Sequence, residues 1–79
     1  MGLRENIQAE LDLLLSERAS PILLESMKKL AETVDDDTAS WEALFKKIAA
    51  AVRLFVDEAM AEEVRLHLRA WLEQERGRT

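Results

Sequence analysis

From Thr38 to Gln74 the chain contains neither glycine nor proline, and apolar residues recur along this run at helical spacing. No residue type in it ends a helix unaided, so the pattern predicts one uninterrupted helix over about half the protein. At 1.5 Å per residue such a rod spans roughly 55 Å. A compact chain of 79 residues has a radius of gyration of only about 12 Å. The rod must therefore bend back or find cover on another chain.

The preceding residues read as a helical hairpin. Leu3, Ile7, Leu11 and Leu14 share one face, with Arg4, Glu5, Gln8 and Asp12 on the other, which predicts a first helix from Leu3 to about Arg18. Leu13 and Leu15 widen that apolar face, so this helix is expected to touch two neighbours. Ser20-Pro21 then marks a new start, because serine caps free amides and proline at the first helical position has no amide hydrogen to lose. The second helix runs to about Val34. Leu23, Met27, Leu30 and Val34 form its stripe, Ile22, Leu24 and Ala31 flank it, and Lys28 and Lys29 pair by spacing with Glu25 and Glu32.

Asp35-Asp36-Asp37-Thr38 opposes the dipole of the helix that ends there but suits the start of the next, where Asp37 or Thr38 can accept from backbone amides. The third helix is predicted from near Ala39, with Trp41, Leu44, Phe45, Ile48, Val52 and Phe55 on one face. Its stripe continues through Val56, Met60, Val64, His67 or Leu68, and Trp71. One interior break is conceivable, at Asp57-Glu58, since aspartate can cap a new helix and the apolar face shifts there. The favoured architecture is all-α, a single all-helical domain over residues 1–79. It is a three-helix bundle built from a short helical hairpin and a long C-terminal helix; the alternative is a compact four-helix bundle with a break near Asp57.

Residue chemistry narrows the function classes. The absence of cysteine removes disulfides, thiolate metal sites and a cysteine nucleophile. His67 has Glu63 one turn before it, but carboxylate-bridged di-iron bundles place glutamate three residues before the histidine, where this chain has Val64. The Asp35 to Asp37 run lacks the alternating ligands, glycine and closing glutamate of a calcium loop. No base neighbours the serines and threonines in sequence, so neither an enzyme nor a cofactor is expected. No apolar run is long enough to span a bilayer, and no basic, apolar leader opens the chain. A soluble cytoplasmic protein is the resulting expectation.

Charge argues against general binding to phosphate backbones, at a net −5. It is unevenly spread: residues 1–40 hold four basic and nine acidic side chains, residues 41–79 seven of each. If the long helix is straight, Trp71 lies roughly 45 Å from Trp41, beyond the reach of two short helices. Val64, Leu68, Arg69, Trp71 and Leu72 then form an exposed patch of the kind that marks interfaces. The expected function is a non-enzymatic protein–protein interaction module, a small helical adaptor, regulator, inhibitor or chaperone, acting as a homodimer through its third helix or on another protein. Two alternatives are a nucleic-acid regulator using Arg65, Arg69, Arg76 and Arg78, and an acidic decoy using the surface of residues 1–40.

Overall fold

In the computed structural model, which describes residues 2–77, four helices and no strands are present among those residues. They are α1 (Leu3–Leu15), α2 (Pro21–Thr33), α3 (Thr38–Phe55) and α4 (Glu58–Arg76). The first two follow the sequence pattern closely. Ser20 Oγ accepts from the Leu23 amide at 3.2 Å with Pro21 at the first helical position, so the expected serine cap is in place. Asp37 performs the same service for α3, its Oδ1 accepting from the Ser40 amide at 2.8 Å.

The stretch expected as one rod is two helices. The molecule measures 36 × 21 × 19 Å with a radius of gyration of 11.6 Å, too short for a straight helix over that run. Val56 leaves helical geometry, and Asp57 adopts extended backbone with its carboxylate accepting from the Met60 amide at 2.7 Å. The turn needs no glycine because neither residue takes a positive φ. Folding back at Asp57 lets the apolar stripe of α4 share a core with that of α3, and this burial is what a straight rod would forgo.

Within one apolar cluster lie Leu3, Ile7, Leu11 and Leu15 of α1, Leu24, Met27 and Ala31 of α2, Trp41, Leu44, Phe45, Ile48 and Val52 of α3, and Met60, Ala61, Val64, Leu68 and Leu72 of α4. The first helix does touch two neighbours, α2 and α4, while α3 packs extensively on α4. The seam between α2 and α3 is the sparsest in the ring. Leu13 departs from the expected face and points to solvent, Leu14 and Leu15 taking the inner positions.

Side-chain clasps reinforce the other three seams. Arg4 donates to the carbonyls of Ala31 and Glu32 at the end of α2, where its charge suits the negative helix pole, and its guanidinium stands 5.4 Å from the Trp41 ring centroid. Gln8 donates to the Lys28 carbonyl at 3.0 Å, and Lys28 Nζ meets Asp12 at 3.0 Å. Arg76 donates to Thr38 Oγ1 at 2.9 Å and to the Asp36 carbonyl, tying the end of α4 to the start of α3.

Asp37 has an acid-linked role. The Ser40 backbone amide, then the Ser40 hydroxyl, hold its carboxyl below the ordinary value. A depressed folded pKa makes this stabilisation full above the unfolded value and removes it as pH falls through the folded one. Asp37→Asn is therefore expected to lower the urea midpoint at pH 6 and to have a smaller effect at pH 3; an equal loss at both would refute the charge-dependent cap.

Candidate interaction surface

Each residue expected to form an exposed patch on the C-terminal helix has a definite place. Val64, Leu68 and Leu72 are buried inside the chain's own core, covered by the helices that the turn at Asp57 brings alongside. Trp71 is half-buried against the same core, and its indole N–H donates to Glu10 Oε1 at 2.7 Å. Arg69 stays on the surface, paired with Glu73 at 3.2 Å and near Glu42 at 3.8 Å. Thus the five do not present a contiguous apolar face. Trp41 is fully enclosed as expected, its N–H donating to Asp36 Oδ1 at 2.8 Å.

Glu10 is the most enclosed carboxylate bridging two helices here, with a side chain only 12% exposed that receives Trp71 and lies 3.3 Å from His67 Nδ1. This arrangement pins α1 to α4. Its partners are one indole and one imidazole, and no group of three His, Asp or Glu residues able to hold a metal ion occurs among the described residues. Of the C-terminal arginines, Arg65 binds Glu62, Arg69 binds Glu73, and Arg76 lies 3.6 Å from Asp36. Arg78 lies outside the described residues. Among those described, no helix is long and apolar enough to cross a membrane.

The surface that stands out is on the opposite side, along α2 and α3. Six large apolar residues are notably exposed among the described residues: Leu13, Ile22, Leu30, Leu54, Phe55 and Leu66. Leu13 and Leu66 are isolated outward positions on α1 and α4. The other four belong to one face. Ile22 (82% exposed) and Phe55 (67%) border a hollow of about 390 Å³ completed by Ser20, Leu23 and Ser26. Further along, a second hollow of about 340 Å³ lies between Leu30 and Thr33 of α2, with Val34 just past them, and Ser40, Ala43, Leu44 and Lys47 of α3, with Asp35 at its loop end. Leu54, seven residues beyond Lys47, lies on the same side of α3.

Antiparallel register joins these hollows into one groove. With Ile22 opposite Phe55 and Leu30 opposite Lys47, helical spacing sets Ser26 opposite Ala51, so small residues form the saddle between two apolar ends. Among the described residues, every hydrogen bond or ion pair between helices runs along the α1–α2, α1–α4 or α3–α4 seams. None bridges α2 to α3. The apolar groove is thus unreinforced as well as open.

Helical spacing puts Phe55 in the core stripe and Ile22 on a flank, whereas both stand exposed. The signal was the width of the apolar arc on α2, where Ile22, Leu23 and Leu24 are followed by Met27, Leu30 and Ala31. One helix cannot turn all of these inward, and the excess falls on the α3 side. No protein-family model, curated protein or solved structure matches the chain.

Proposed function

We propose that the chain is a non-enzymatic protein–protein interaction module, a compact four-helix bundle that works by accepting a partner on the α2–α3 face. The observation that carries this reading is the concentration of Ile22, Leu30, Leu54 and Phe55 along the seam where the helices are least joined. Isolated surface leucines are ordinary, whereas a contiguous apolar strip on a small chain is the usual mark of a binding surface. An aromatic at one end and small residues at the centre suit a helix laid into a groove, the mode in which an amphipathic segment inserts residues at i, i+3 or i+4, and i+7.

Three alternative readings have less to draw on. The arginines of α4 already face carboxylates at Glu62, Glu73 and Asp36, which reduces the positive field that nucleic-acid binding requires. Self-association through Val64, Leu68 and Leu72 would need apolar surface that the chain's own helices occupy. The acidic surface of residues 1–40 is partly neutralised by Lys28, which bridges Asp12 and Glu25.

Site-specific photocrosslinking in the producing cells tests the proposal. A benzophenone amino acid at Ile22 or Phe55 is expected to capture one discrete protein, while the same probe at Leu13 or Leu66 captures little. Comparable capture at all four positions would show that the groove has no special role.

A further inference from the structure

Resting on the groove as an interface, we infer that its occupant is an amphipathic helix of another protein carrying carboxylates on both flanks of its apolar stripe. The groove's charges lead to this assignment. Lys29 borders Leu30 and Thr33 on the outer side of α2, and Lys47 borders the same two residues from α3. Two ammonium groups therefore stand by the second hollow, Lys47 on its lining and Lys29 on the outer side of the α2 residues that border it, in a chain whose net charge is −5. Among the described residues neither has a carboxylate within ion-pair distance, unlike Lys28, which meets both Asp12 and Glu25. Glu25 and Glu32 share another hollow with Lys28 and Lys29 on the side of α2 that meets Gln8 of α1, and the acid on the groove lining is Asp35 at the loop end.

Charge also discriminates against a second copy. A two-fold contact sets a patch against itself, so with the axis through the saddle the lysine end of one groove would meet the Ile22–Phe55 end of the other. Ammonium groups set against an apolar mouth without a carboxylate disfavour that pairing, whereas carboxylates placed beside them favour binding. Spacing completes the description. Ile22 and Leu30 are eight residues apart on α2, about 12 Å along the axis, so two bulky residues at i and i+7 of the guest helix reach the two hollows. A small residue between them crosses the Ser26–Ala51 saddle.

The test uses the intact protein and two synthetic helical peptides with the same leucines at i and i+7 and alanine at i+4. One carries glutamate on both flanks, the other lysine. At low salt the acidic peptide is expected to bind about tenfold more tightly, a difference proper to two exposed pairs turned from attraction to repulsion. Amide shifts should map to Ile22, Ser26, Leu30, Ala51 and Phe55. Lys29→Glu with Lys47→Glu should reverse the preference without altering the thermal midpoint, and Ile22→Glu with Phe55→Glu should abolish both interactions. Equal binding of the two peptides to the groove overturns the acidic assignment and leaves the interface standing. No binding of either up to about 1 mM, the weak limit of specific affinity, together with self-association lost in Ile22→Glu with Phe55→Glu, makes the occupant a second copy and likewise overturns it. No binding by a stable monomer that also gives no groove crosslinks removes the interface itself.

Discussion

Trp41→Ala is expected to destabilise the chain by about 3–5 kcal/mol, the range for truncating a large buried aromatic. Three losses coincide at this position. The indole is wholly enclosed, so its removal leaves a cavity in the apolar cluster beside Phe45, whose ring centroid is 5.9 Å away. Its N–H no longer donates to Asp36, and the Arg4 guanidinium loses the ring it stands over. A domain of this size has a total stability of about 5 kcal/mol or somewhat more, so much of the population should be unfolded at room temperature. Urea denaturation followed by circular dichroism reads the effect. Trp41→Phe, which keeps most of the volume and lacks the N–H, should lose distinctly less. Equal losses for the two variants would mean that ring volume contributes little here.

Leu68→Glu should abolish cooperative folding altogether. The Leu68 side chain is fully buried in an apolar cluster to which all four helices contribute, and among the described residues no cation belongs to that cluster to receive a carboxylate. An unpaired charge forced into such a site costs several kcal/mol beyond the lost packing. The same substitution distinguishes two architectures. On a helix that protrudes to meet a second chain, a glutamate at position 68 would dissociate the pair and leave helical, cooperatively melting subunits. Sedimentation and thermal melts of the variant therefore decide the matter: a well-folded monomeric Leu68→Glu protein would refute the internal core.

Most of the local structure could be read from residue order because its causes are local. The inward stripe of Leu3, Ile7 and Leu11 in α1, the Ser20-Pro21 start and the aspartate cap at the head of α3 depend on neighbours within one turn. The turn between α3 and α4 was visible only as a possibility. Its chemical marker, Asp57, is an ordinary surface residue unless the chain turns, and the reason for turning lies in distant cover for Val64, Leu68 and Leu72. Trp71 illustrates the same point. Its spacing says that it lies near an apolar stripe, whereas its partner, Glu10, is 61 positions away. The α2–α3 groove was hidden for a related reason: helical periodicity identifies an apolar arc but not which part of it a neighbouring helix leaves open.

The cross-helix clasps all occur in one half of the molecule, from Glu10, Asp12 and Lys28 towards Arg4, Trp41 and Arg76. Towards Ile22 and Phe55 no hydrogen bond or ion pair is seen to join the helices among the described residues, and the charge attraction across them is that of Arg53 for Glu62. The fold thus resembles a peg with a riveted hinge and free jaws. Thermal breathing should part the jaws first, at the mouth where the phenylalanine stands, so a guest of the proposed kind would enter there and slide inwards while the rivets keep their register.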